Sequence, residues 1–287
     1  MKVAKKLTLI ALLMFICGFI VLQTNKIDSY AATPSKSIQN DIPDYNKKVK
    51  NKYSGWIKST TRVNTIHTFK AYKFYYMEKG KLVKGWKKIS NKTYYFTSDY
   101  SMAYGVKYID KNYYGFSTYQ ENYGEMLTST VLFNDKNKQF YAFDSTGKAV
   151  KNGWVKTTTR MISATSTVHY ETGYTYCSNY KVLSGFQKIN GHWYFINENH
   201  HRLENEFDKI MDKWYYFDKN GVMQIGLTTI KKNLYYFNSL GEMVTGWKKI
   251  NGNWYYFKSN GQAVSGTTMK IKGKIYSFRS NGTCINP

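Results

Sequence analysis

The chain is 287 residues long and carries 42 lysines and arginines against 18 acidic residues, a formal charge of +24. It holds 28 Tyr, 16 Phe and 7 Trp but only 3 Pro, at Pro34, Pro43 and Pro287, so no proline interrupts a backbone ladder between 44 and 286. Tyr, Trp and Phe are strand formers, so this composition excludes a mainly helical chain, while the charge excludes polycationic partners and favours polyanions.

Residues 1–31 read as a processing segment. Lys2, Lys5 and Lys6 give a basic start, residues 7–22 carry no charge, and Ser29 and Ala31 put small side chains where a signal peptidase inspects the chain. The reading is a secretory signal cleaved after Ala31. A retained membrane anchor competes with it, although the apolar run is shorter than the ~18–20 residues a span wants. After cleavage no membrane contact is expected. Export disfavours nucleic acid as the polyanion and leaves teichoic acid, an anionic glycan or a headgroup surface. The lysines have a plainer reading too, as charges that keep β edges soluble and unpaired.

Residues 32–54 are polar, lysine-rich and hold both internal prolines, which predicts a short flexible spacer. It is too short for a catalytic domain, so any catalysis would have to come from the repeats that begin at Gly55. From Gly55 to Asn286 the chain is repetitive. Gly55-Trp56-Ile57-Lys58 opens a long repeat of about thirty residues, and Gly85-Trp86-Lys87-Lys88-Ile89 opens one of about twenty with Tyr94-Tyr95-Phe96 inside it. Gly105-Val106-Lys107-Tyr108 opens another, and 119–152 is less regular, recovering the pattern at Phe140-Tyr141-Ala142-Phe143. At Gly153-Trp154-Val155-Lys156 the series restarts, so a long–short–short block occurs at 55–123 and again at 153–224, with further short repeats over 226–286.

The clearest copy is 246–265, GWKKINGNWYYFKSNGQAVS. Trp254-Tyr255-Tyr256-Phe257 is too short for a helix, and the flanking Asn251-Gly252 and Asn260-Gly261 supply positive-φ positions for tight turns. Asn190-Gly191, Asn220-Gly221 and Asn281-Gly282 fit the same role. Each repeat is therefore expected to be a β-hairpin, marginal alone, that gains stability by stacking its aromatic faces on its neighbours. The fold class is all-β, a β-solenoid of hairpins with short and long repeats. Cys177 and Cys284 would sit several repeats apart, too far for a bridge.

The pattern GWxKxxxxWYYFxxxGxxxxG resembles the cell-wall-binding or choline-binding repeats of Gram-positive surface proteins. It is also similar to glucan-binding repeats and to the repetitive oligopeptides of clostridial toxins, which the mixture of long and short repeats resembles most. The resemblance implies ligand sites at repeat junctions and no catalysis. In choline-binding members two aromatics of one repeat and one of the next form a cage for a quaternary ammonium, whose weakly hydrated charge is drawn to ring faces. The best match is Trp247 and Trp254 with Tyr276. Phe207 and Trp214 with Tyr235 or Tyr236 is the second, and Phe186 and Trp193 with Tyr215 or Tyr216 the third; alternation lets only one of two adjacent tyrosines face a site. Thr93, Leu227, Leu234 and Ile275 depart from the pattern, and the N-terminal half shows no complete set.

In toxin-like members glycans bind where a long repeat meets a short one. The corresponding residues are Trp86, Lys87 and Lys88 in the first block, and Phe186, Gln187 and Lys188 in the second. His67, His169, His192, His200 and His201 suggest no metal set, and no cofactor is expected. Two functions are consistent with these features. One is a secreted, non-catalytic protein attached to the cell wall through choline or another wall-polymer unit, whether alone or as accessory to a wall hydrolase. The other is a lectin-like glycan binder. A dimer through the terminal repeats, whose edges need covering, is a further expectation.

Overall fold

The computed structural model describes residues 41–42, 44–64, 70–119, 122–162 and 167–287. The segment read as a signal, 1–31, lies outside the described residues, as do 32–40 of the expected spacer. What is described is strand and turn apart from one short α-helix, Tyr45–Lys50. The chain divides into two compact bodies, one ending at Leu183 and the other Ser184–Pro287.

The hairpin at 246–257 shows how one repeat is made. Gly246–Ile250 runs antiparallel to Asn253–Phe257, pairing Trp247 with Tyr256 and Lys249 with Trp254. Asn251 and Gly252 between them have φ of 48° and 84°, the two left-handed positions of a type I′ turn, whose twist matches that of the strands. Met211-Asp212 and Lys231-Lys232 make the same turn without glycine, so Asn-Gly is sufficient for it but not required. The Asn-Gly pairs at 220–221, 260–261 and 281–282 depart from expectation. They belong to a second turn, after the aromatic strand, in which the glycine N–H donates three residues back: Gly221 to the Asp218 carbonyl at 2.8 Å and Gly261 to that of Lys258 at 2.9 Å.

This second turn ties the repeats together. It returns the chain beside its own hairpin, where Phe257 bridges Ala263 and the Val264 N–H donates to the Tyr256 carbonyl at 2.9 Å. The intervening Ala263 N–H reaches back to the Leu234 carbonyl of the preceding hairpin at 2.8 Å. The same bond recurs from Met223 to Trp193 and from Met243 to Trp214 in the C-terminal body, and from Met102 to Phe74 and Ala149 to Tyr113 in the N-terminal one. Backbone groups that an isolated hairpin would leave at an edge are thereby satisfied. Each body is a stack of hairpins, the solenoid repeat that the sequence predicts.

The core runs along the stack. Alternation turns the first tyrosine and the final phenylalanine of each aromatic run toward the preceding repeat, and Phe96, Phe116, Phe143, Phe217, Phe237 and Phe257 are all 0 or 1 % exposed. Cys177 and Cys284 are buried free thiols in different bodies, and burial pushes the Cys177 thiol up to about 11.

The N-terminal end corrects the spacer reading for residues 41–54. Ile42 is 1 % exposed and packs with Ile57, Tyr75 and Met77; the Tyr75 hydroxyl donates to Asp41 Oδ2 at 3.3 Å. The Thr60 N–H donates to the Asp41 carbonyl at 3.4 Å, much as the Thr158 N–H of the second long repeat donates to Ser129 at 2.7 Å. The segment therefore occupies the place of a missing preceding repeat and covers a face that the end of any solenoid leaves bare. Its lysine-rich composition hides this role because few of its side chains make the contact.

Candidate functional site

Because the hairpins present the same faces, the junctions whose opening glycine is followed by an aromatic share one construction. The aromatic that follows the opening glycine lies against its cross-strand partner and against the first tyrosine and the phenylalanine of the next repeat. At 246–278 the Trp247 ring is 5.2 Å from Tyr256, 4.7 Å from Tyr276 and 5.9 Å from Phe278, centroid to centroid. Trp254 stands edge-on to Trp247 at 6.2 Å and is 36 % exposed. The three residues of the best-matching set, Trp247, Trp254 and Tyr276, therefore come together at one junction. Two ammonium groups flank it: Lys249 Nζ is 6.0 Å from the Trp254 ring and Lys274 Nζ is 5.1 Å from that of Tyr276.

The structure also settles which tyrosine of each pair faces which neighbour. Phe207 lies 5.0 Å from Tyr235, and Phe186 lies 5.1 Å from Tyr215. Tyr216 is instead the cross-strand partner of Phe207 in its own repeat, at 4.8 Å, and Tyr236 packs toward Phe257 at 6.1 Å. Trp193 and Trp214, paired in register with Lys188 and Lys209, are 41 % and 44 % exposed. By alternation they share a face with Phe186 and Phe207. Each of these junctions thus has two packed rings from facing repeats and one indole open to solvent. At 226–257 the equivalent positions are Leu227 and Leu234, and the junction is aliphatic on that side.

The glycan candidates are arranged differently from expectation. Trp86 packs on Tyr95 at 5.0 Å, Tyr114 at 4.8 Å and Phe116 at 5.9 Å, so it faces the next short repeat and not the long one before it. Lys87 points to the opposite face, where its Nζ bonds Glu78 Oε1 at 2.7 Å, and this hydrogen bond holds the Glu78 carboxyl below its ordinary range. Gln187 similarly donates from Nε2 to the Ser184 carbonyl at 2.7 Å. Trp86 with Lys87, and Phe186 with Gln187, cannot line one site, because adjacent residues of a strand project to opposite faces.

One junction escapes sequence reasoning. In the first long repeat Trp56 pairs with Tyr76 and Lys58 with Phe74, the register of Trp247–Tyr256 and Lys249–Trp254. Trp56 lies 4.9 Å from Tyr94 of the next repeat. Trp56, Phe74 and Tyr94 thus hold the three equivalent positions in the N-terminal half, where no complete set is expected. The ten or so extra residues of the long hairpin conceal Phe74; counting back from Met77, in the place of the usual phenylalanine, would have found it. Tyr123 packs on the same cluster, 5.9 Å from Phe74, and covers this junction with a protein side chain. Among the described residues no group of three or more His, Cys, Asp or Glu could hold a metal ion.

The fold and its junctions define a class: a hairpin stack whose repeat boundaries are lined by aromatic rings. Family models then place it. The choline-binding repeat model matches residues 205–245 and 244–284, and the model described as a putative cell wall binding repeat matches 84–99 and 184–199. Repeats that match these two models thus lie at residues 84–99, 184–199 and 205–284. Among solved structures it is similar to choline binding protein F from Streptococcus pneumoniae, at 21 % identity over 81 % of this chain and 86 % of that one, with a TM-score of 0.51. CbpJ from the same organism aligns at 22 % identity over 80 % of each chain, with a TM-score of 0.43. The choline-binding domain of CbpL, also from that organism, aligns at 20 % identity over 71 % of this chain and 98 % of that one, with a TM-score of 0.42. The likeness to choline binding protein F is one of fold. No curated protein sequence matches the chain.

Proposed function

We propose that this chain is a secreted, non-catalytic binding protein that attaches to a Gram-positive cell wall through aromatic sites between repeats, each taking choline or another small unit of a wall polymer. The observation that carries this reading is the convergence of Trp247, Trp254 and Tyr276 at one junction, within a segment that matches the choline-binding repeat model. Ring faces attract a weakly hydrated quaternary ammonium with about 0.5–2 kcal/mol per good contact, so a single site is weak and several on one polymer strengthen one another. Phe207–Trp214–Tyr235 and Phe186–Trp193–Tyr215 are the second and third sites. The high lysine content adds attraction to an anionic wall polymer.

The test is a titration of the purified chain with choline, followed by tryptophan fluorescence. A saturable change, together with release of the protein from walls by excess choline, supports the reading. Retention in choline with release by salt assigns attachment to charge alone and rejects aromatic capture. The lectin-like alternative at Trp86 and Phe186 draws less support, since Lys87 and Gln187 are already engaged elsewhere.

A further inference from the structure

The junction between hairpins 105–116 and 130–143 is built unlike the others. Val106 stands where Trp86, Phe186, Phe207 and Trp247 stand in their hairpins, and its cross-strand partner is Gly115. A Cβ on Gly115 would lie 2.7 Å from the Phe143 ring, so Phe143 fills the space that a pair of rings from the other side fills in the other junctions. The aromatic mass lost from the base of this junction reappears at its outer side. Tyr113 lies 4.8 Å from Tyr108, 5.1 Å from Tyr141 and 5.2 Å from Tyr180, centroid to centroid. Tyr141 is buried, Tyr113 and Tyr180 are half-buried, and Tyr108 is 62 % exposed.

Tyr180 is held there against a backbone preference. It follows Asn179 in the turn between Val168–Ser178 and Lys181–Val182, with φ of 67°. In the first block the same turn has Gly80, with φ of 79°. Polar groups complete the surroundings. Asn137 Nδ2 donates to the Tyr141 hydroxyl at 2.8 Å, and Lys151 Nζ lies 6.0 Å from the Tyr180 ring. Burial, and then the nearby phenols of Tyr141, Tyr108 and Tyr180, hold the Tyr113 phenol protonated to higher pH than usual.

We propose that Tyr108, Tyr113 and Tyr180 form a glycan subsite that takes one hexopyranose residue, separate from the quaternary-ammonium sites. The rings offer flat apolar faces to the C–H side of a sugar, while phenol hydroxyls, Asn137 and Lys151 offer partners to its hydroxyls. Tyrosine suits this task, having an apolar body and a polar tip. Lys151 at the rim can donate to the hydroxyl or carboxylate oxygens of neutral or anionic sugars.

Saturation-transfer difference NMR on the whole chain tests the subsite, using glucose-, galactose- and N-acetylglucosamine-based oligosaccharides with choline chloride present at saturation. The expected result is transfer to pyranose ring protons of at least one oligosaccharide, undiminished by choline and reduced about fivefold or more in Tyr108→Ala and Tyr180→Gly. The second variant restores the glycine of the first block, and circular dichroism establishes that each variant is folded. No transfer from any oligosaccharide, transfer abolished by choline, or transfer unchanged in the variants overturns the proposal. Should Tyr180→Gly fail to fold, Tyr108→Ala decides alone, because its ring lies mostly in solvent. Saturating choline keeps this result independent of whether the aromatic cages bind choline.

Discussion

The rings of Trp247 and Tyr276 lie 4.7 Å apart at an interplanar angle of 67° although they belong to different repeats. Neither hairpin alone could place them so. Their spacing is set by the bond from the Cys284 N–H to the Trp254 carbonyl, at 2.7 Å, which fixes the last repeat against the one before. Local turn chemistry makes the hairpins, and repeat-to-repeat hydrogen bonding turns isolated rings into a candidate site.

Removing one wall of that site should weaken choline binding without unfolding the stack. Tyr276→Ala and Trp254→Ala are each expected to lower affinity about three- to thirtyfold, the equivalent of about 0.5–2 kcal/mol for one ring contact. Calorimetry is the appropriate readout, since Trp254 is itself a fluorophore. Leu227→Ala, at an aliphatic junction, should leave affinity unchanged. An unaltered affinity in both ring variants would show that this junction is not a choline site.

Glycine 261 makes a second, structural prediction. Its φ is +80°, and an added Cβ would meet Met243 Sδ at 2.2 Å. Gly246 has nearly the same φ, +81°, but nothing within 4 Å. Gly246→Ala should therefore cost only the left-handed backbone term, about 1–2 kcal/mol. Gly261→Ala should cost about 1–3 kcal/mol more, through overpacking against the methionine. Urea denaturation of the two variants measures the difference, and Met243→Ala should recover part of it only in the Gly261→Ala background. Equal losses in the two single variants would contradict the packing argument.

Much of this is legible in the chain because the repeat announces itself. Trp254-Tyr255-Tyr256-Phe257 between two Asn-Gly pairs specifies strand, turn and face together, and Trp247, Trp254 and Tyr276 lie at one junction. What stays hidden lies where spacing or residue type departs from the template. Phe74 escapes the pattern because the long hairpin displaces it from the usual interval. Trp86 faces the following short repeat and not the long one before it, because alternation sets its face opposite to that of Lys87 without saying which neighbour each face meets. The Tyr108–Tyr113–Tyr180 cluster draws on two hairpins and a distant turn, so no single window contains it. Residues 41–54 look like linker because their packing depends on a few apolar side chains among lysines.

The N-terminal cap carries its own test. Ile42 is fully buried against Ile57, Tyr75 and Met77, so Ile42→Ala should destabilise by about 2–5 kcal/mol, the range for such core truncations. In a stack held by nearest neighbours the loss should be local. Hydrogen exchange is expected to quicken in Gly55–Asn64 and Lys70–Glu78 while the amides of Ser184–Pro287 keep their protection. Uniform loss across both bodies, or no loss at all, would show that residues 41–54 are not a cap.

Stability in acid should depend on His200. It occupies the turn position that Gly221, Gly241 and Gly261 hold in later repeats, with φ of 67° and its N–H donating to the Asn197 carbonyl at 3.0 Å. Burial, and secondarily the neighbouring His201, pushes its imidazole down to about 4. The ordinary value is about 6.5, so between these two pH values the unfolded chain binds a proton that the folded chain refuses. The contribution is fully present above about pH 6.5 and is lost as the pH falls toward about 4, with a limiting slope of about 1.4 kcal/mol per pH unit for one group. His200→Asn suits the left-handed backbone and removes the titrating group, so its urea midpoint should change less than that of the parent between about pH 7.5 and about pH 5. If parent and variant lose stability in parallel over that interval, the acid sensitivity lies with other groups and not with His200.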